Sequence, residues 1–182
     1  MAAFDMKGLV YGLKEYYDSA EQTEKIIIDS ALVAAAADAV GGIIPGVAIP
    51  ATIVACFGTV WVMYGRLCDT LGVSLKENVL KLLAKAALAN ISANLGAVLI
   101  SSFIGMFIPG ASILVSAAVA FVTVYLAGLI FLQMILKLAE RSADPHTFSD
   151  ISADSMEQTV KGVKLTKDDV IAAKAAYKRN KR

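Results

Sequence analysis

From Ala86 to Leu136 the chain carries no charged side chain, a run of 51 residues. A bilayer core is crossed by about 20 apolar residues, so this run is too long for one span and suits two helices with a tight turn. The turn is written at Ile108-Pro109-Gly110. Proline ends a helix and glycine accepts turn conformations. The sequence therefore predicts a hairpin with helices at about 88–107 and 112–138. A second stretch, Ser30 to Gly65, holds only Asp38 and breaks at Ile44-Pro45-Gly46, giving arms at about 24–40 and 49–67.

The two turns share more than Pro-Gly. Gly41 to Gly46 and Gly105 to Gly110 both read GxxIPG at an offset of 64, which also pairs Phe57 with Phe121, Thr59 with Thr123, Val60 with Val124 and Trp61 with Tyr125. Either the hairpin is duplicated within the chain, or two apolar hairpins need similar turns. The expected fold is all-α: two apolar helical hairpins with tips at Pro45, Gly46, Pro109 and Gly110. The arm from Ala111 to Leu136 would be about 39 Å long, enough to cross a core of about 30 Å. The arm from Ala51 to Gly65 would reach only about 22 Å and span poorly.

Composition agrees. Apolar residues make up 57% and charged residues 18%, with a mean hydropathy of +0.65. Soluble domains are about 45–50% apolar and about a quarter charged, so disorder and an ordinary water-soluble enzyme are both disfavoured. A formal charge of +1 gives no global attraction for nucleic acid. Every Lys and Arg lies on the open side of the hairpins, and the tips are neutral. By the positive-inside tendency the N-terminus, the 66–85 connector and the C-terminal tail face the cytoplasm of a bacterial inner membrane. A neutral tip suits insertion from one side. The first 25 residues show no cleavable signal.

The flanks read differently. Residues 4–28 have amphipathic spacing, with Phe4, Leu9, Leu13, Tyr16 and Tyr17 on one side, fitting either a membrane surface or the protein's own connector. Residues 142–160 read as a polar linker. Thr166 before Lys167-Asp168-Asp169 predicts an N-cap and a short helix at about 167–178. Its basic end, Lys178, Arg179, Lys181 and Arg182, is a candidate for anionic headgroups or a solvated helix terminus. Three regions result: an amphipathic helix at 1–29, the double hairpin at 30–141, and the linker with its basic helix at 142–182.

Chemistry is sparse. No GxxxxGK[ST], HExxH, CxxC or GxSxG occurs, and Gly8 to Lys14 has the wrong spacing for a phosphate loop. His146 is the only histidine, and Cys56 and Cys68 fit small core residues. The expectation is no enzyme, no catalytic residue, no cofactor and no metal. Asp38, within Ala34 to Val40, is the intramembrane polar candidate. Either it is functional or it accepts hydrogen bonds from a neighbouring turn or helix start. Small residues crowd the arms and favour close helix packing and a homo-oligomer. Asn90, Asn94, Thr123 and Gln133 are candidates for hydrogen bonds between helices.

The order of Ile-Pro-Gly, a connector from Tyr64 to Val73 ending in Leu-Gly-Val, a second Ile-Pro-Gly and a Thr-containing apolar helix resembles a known family. This is the membrane-associated domain-of-unknown-function family 697, the YcjF-type or GTPase-associated domain. The resemblance covers about 30–138. It implies association with membranes beside a GTPase, which this chain lacks, so a separate GTPase is the implied partner. It supplies no catalytic residues. The function expected is a bilayer-inserted, self-associating scaffold or membrane-remodelling protein. The alternatives are an ion channel or pore lined by Asp38, and a detergent-free shell-like assembly with the arms buried between subunits.

Overall fold

A computed structural model describes residues 6–41, 52, 55–104, 112–139, 148 and 151–180, with side chains at 19–38, 52, 55–94, 116–139, 148 and 151–180. Among them are six helices and no strand: α1 (Met6–Gly41), α2 (Phe57–Leu71), α3 (Glu77–Ile104), α4 (Ser112–Ala139), α5 (Ala153–Lys161) and α6 (Lys167–Asn180). The hairpin tips Pro45, Gly46, Pro109 and Gly110 lie outside the described residues.

The most apolar helix occupies the centre. α4 packs against all five others, and Ser116 to Val124 are buried without a break. A helix that is apolar all round calls for cover on every side, and here the rest of the chain buries most of it while leaving Leu136 exposed. Direction follows from two contacts. The Cys56 thiol points at the Ala120 carbonyl at 3.9 Å, and the Tyr64 hydroxyl donates to the Ala127 carbonyl at 2.9 Å. The contacts advance together, so α2 and α4 run parallel, with partners 64 and 63 residues apart. Tyr64 also stacks on Phe131 with ring centroids 4.4 Å apart. α1 runs the other way: Ile27 sits at Gly128, whereas Asp38 meets Thr52.

Local chemistry sets the ends. α2 stops at Gly72, whose φ of 65° is the left-handed cap conformation. The Gly72 N–H reaches the Asp69 carbonyl at 3.4 Å and the Val73 N–H reaches Cys68 at 2.9 Å, so two end carbonyls are satisfied. α6 begins with a reciprocal cap: Asp169 N–H donates to Thr166 Oγ1 at 3.3 Å, and Thr166 N–H donates to Asp169 Oδ2 at 2.7 Å. Its observed span extends two residues past the expected 178.

Three sequence expectations change. The amphipathic segment 4–28 and the arm 24–40 form one continuous helix of 36 residues. α3 starts at Glu77 rather than near 88, because its charged first turns lie on an open face, where Glu77 pairs with Lys81 at 2.7 Å. Within the expected linker at 142–160, residues 153–161 form α5, which buries Met156 and Val160. Phe148 is 1% exposed and holds a φ of 45°. That conformation is unfavourable for a bulky residue, and burying the ring offsets it.

Asn90 holds this C-terminal part to the bundle. Its Nδ2 lies 2.8, 3.0 and 3.1 Å from the carbonyls of Val160, Lys161 and Val163. These carbonyls lie at the end of α5, where helices leave acceptors unsatisfied. Asn94 Nδ2 donates to Asn90 Oδ1 at 3.1 Å and fixes the amide. Asn90 therefore bonds between helices as expected. Thr123 does not, and its buried hydroxyl has no partner.

Candidate functional site

On α1, α2 and α3 the exposed side chains sort by charge along the helix. Toward the expected tips they are Val33, Ala36 and Ala37 on α1, Gly58 and Val62 on α2, and Ala89, Ser92, Ala93 and Asn94 on α3. Toward the opposite end they are Glu21, Glu24 and Lys25 on α1, Arg66 and Asp69 on α2, and Glu77, Lys81 and Lys85 on α3. Val33 and Val62 are 62% and 57% exposed, large apolar groups with no cover from this chain. Beyond the last of these charges, apart from Asp38, α1 continues from Ser30 for about 17 Å and α3 from Ala86 for about 27 Å.

Two half-exposed aromatics mark the boundary. Trp61 and Tyr125 share a level because α2 and α4 are parallel with an offset near 64. Lys81 places its ammonium 4.4 Å from the centre of the Trp61 ring. Tyr125 lies within electrostatic reach of Glu24, Arg179 and Asp169. α6 reaches the same level, with the Tyr177 ring 5.1 Å from Phe121. Lys178 and Arg179 are exposed there, at the end of α6. Lys181 and Arg182 lie outside the described residues.

Asp38 is half-buried on the uncharged half of α1. It is hydrogen-bonded to Thr52, itself 5% exposed, and lies close enough to Cys56 to act on it electrostatically. Its Oδ2 is buried without a partner. The expected donors in the Gly41–Gly46 turn fall almost wholly outside the described residues, and Thr52 is the donor observed. A buried carboxylate oxygen without a donor is costly.

The charged half holds a feature that sequence reading missed. A groove of about 510 Å³ runs between α1 and α4, closed at one end by Leu71 of α2. Ala20 and Ile27 form one wall, and Leu129, Leu132, Ile135 and Leu136 form the other. Glu24 is the only charged residue lining it, and it lies within electrostatic reach of Tyr125. The walls come from segments about a hundred residues apart, so periodicity within either helix gives no sign of it. Among the described residues no group of three His, Cys, Asp or Glu is placed to hold a metal ion.

Among the described residues one helix segment, Ser116–Ala139, is long and apolar enough to cross a membrane, and 67% of its most apolar window is buried inside the chain. Comparison with protein-family models, with curated proteins and with solved structures finds no match.

Proposed function

We propose that the uncharged end of this bundle inserts into a bilayer from the cytoplasmic side of a bacterial inner membrane, and that copies associate there into a scaffold that shapes the membrane. The observation that carries this reading is the sorting of exposed side chains by charge along α1, α2 and α3. Burying the exposed Val33 and Val62 in lipid is favourable, whereas exposing them to water is not. Trp61 and Tyr125 at the boundary suit the membrane–water interface, where amphipathic rings concentrate. The basic end of α6 lies at that level, within reach of anionic headgroups. Insertion from one side through neutral tips would add area mainly to one leaflet and bend it.

Self-association has its own support. Gly58 and Gly65 lie within α2, and a Cβ on either would meet nothing within 4 Å. A mid-helix glycine costs up to about 1 kcal/mol relative to alanine, and no contact inside this chain requires either one. Close approach of a second copy gives both a role. The shared offset in the sequence and in the α2–α4 contacts supports a duplicated hairpin. The resemblance to the GTPase-associated family suggests a separate GTPase as partner.

A second reading rests on the burial of α4 inside the chain. A core helix of that kind also suits a detergent-free assembly. One experiment separates the two. The full chain is expressed in bacteria, membranes are extracted with carbonate, and the recovered protein is mixed with anionic liposomes. Carbonate resistance, a blue shift of Trp61 with quenching by brominated lipid, and vesicle deformation are expected. Release by carbonate as a large particle without detergent, with Trp61 unquenched, overturns the bilayer reading and favours the assembly.

A further inference from the structure

We propose that the groove between α1 and α4 binds the hydrocarbon chain of a single-chain amphiphile with an uncharged, hydroxyl-bearing head, of the monoacylglycerol kind. The volume of about 510 Å³ falls within the range of about 300–1,000 Å³ typical of small-molecule sites, which in bundles form between helices. The wall from Leu129 to Leu136 offers leucine and isoleucine side chains that are half-exposed or, at Leu136, 66% exposed. Such a surface on the charged half of the bundle is unfavourable in water, and a hydrocarbon chain would cover it. From Ser19 to Ile27 the α1 wall rises about 12 Å, which suits a chain of medium length. The open side at Leu136 lets the chain enter laterally.

The head follows from the charges. Glu24 is the only charged residue in the lining and acts electrostatically on the Tyr125 phenol, whereas Leu71, Leu132, Ile135 and Leu136 are apolar. Hydroxyl groups can donate to Glu24 and exchange hydrogen bonds with the phenol. A carboxylate or phosphate head would meet the Glu24 charge at short range and be repelled by it. Arg179 and Asp169 also lie within reach of Tyr125 and offset one another. The site belongs to the charged half and does not depend on insertion of the other end.

The test uses the full-length chain and a medium-chain monoacylglycerol carrying a photoactivatable diazirine on its alkyl chain. Saturable crosslinks confined to 19–27, Leu71 and 125–136 are expected, competed by unlabelled monoacylglycerol and about tenfold less effectively by the matching fatty acid. Ala20→Phe, which fills the groove from an exposed position, lowers labelling about tenfold. Glu24→Gln removes the discrimination against fatty acid. Leu132→Phe serves as a second filling variant, and circular dichroism verifies that each variant is folded. Unsaturable labelling spread over exposed apolar residues, or labelling unchanged by both filling variants, overturns the proposal. So does labelling that disappears as a dimer forms through Leu136, which would assign the groove to a second copy. Bilayer insertion is read separately by carbonate extraction, so groove labelling in a chain that does not insert leaves this proposal standing.

Discussion

Gly128 lies beneath Ile27 so closely that a Cβ on it would stand 2.8 Å from Ile27 Cγ1 and 2.9 Å from both Cγ2 and Cδ1. Three atoms of one branched side chain occupy the space, so no single rotation clears them. This contact sets the approach of α1 to the central helix. Gly128→Ala forces the helices apart and is expected to cost about 1–3 kcal/mol, as overpacking does. Thermal unfolding followed by circular dichroism measures it. Combining it with Ile27→Ala should cost less than the sum of the two single changes, because the smaller side chain removes the clash. Strict additivity would show that the contact does not limit the packing.

Asn90 shares the two hydrogens of its amide among three carbonyls. Asn90→Ala removes this donor, leaving the Val163 carbonyl buried without it while the Val160 carbonyl keeps the Val163 N–H, and should cost about 1–3 kcal/mol. Hydrogen exchange should show the loss concentrated at 153–163. Asn90→Asp adds a pH dependence. Its carboxylate would face carbonyl oxygens, so the folded state would hold the proton more tightly than the unfolded chain. The charge part of the variant's penalty is therefore largest at neutral pH, shrinks as pH falls toward the usual carboxylate value of about 4, and is gone below it. A penalty equal at both pH values would argue against the carbonyl contact.

Gly58 and Gly65 separate folding from assembly. Gly58→Leu fills open space and replaces a poor helix former, so the lone chain should be stabilised by up to about 1 kcal/mol. Association should weaken if copies approach through this face. Sedimentation in detergent alongside a melting curve gives both readouts, and unchanged association would remove this face from the assembly.

The Cys68 thiol is pushed up to about 12, first by burial and then by the nearby Asp69 charge. The unfolded thiol titrates near 9.0. Above that pH the unfolded state loses a proton that the folded state keeps, so this group lowers stability as pH rises from about 9 to about 12. At neutral pH the folded chain should react with maleimide at Cys68 far more slowly than the urea-unfolded chain. Fast labelling of the folded protein would show that α2 opens there.

Much of the helical framework is legible in the sequence. The apolar run after Pro109 places the fourth helix within a residue, at 112–139 against an expected 112–138. The reading fails where composition changes but the backbone does not. No proline or glycine interrupts residues 13–40, so α1 continues while its surface passes from charged to apolar. α5 looks like a linker because only Met156 and Val160 are buried along its short length. Thr166 with Asp169 is a local signal, and it marks the start of α6 correctly. The Asn90 contact joins residues 70 to 73 apart, beyond what local pattern can reveal. Asp38 stands out in the sequence by its charge, yet its donor Thr52 lies well beyond it in the chain, and only the packing of the two identifies it.

The central position of α4 also bears on how the protein is made. Synthesis runs from the N-terminus, and domains tend to assemble in that order. The helix that flanks α4 most extensively, α1, precedes it in the chain, as do α2 and α3. The stickiest segment thus leaves the ribosome after most of its cover, and only α5 and α6 remain to be added. Moving α4 to the start of the chain, as a circular permutation would, keeps every contact yet exposes that helix for most of translation. Aggregation of such a permutant, despite an unchanged set of native contacts, is the cost that the natural order avoids.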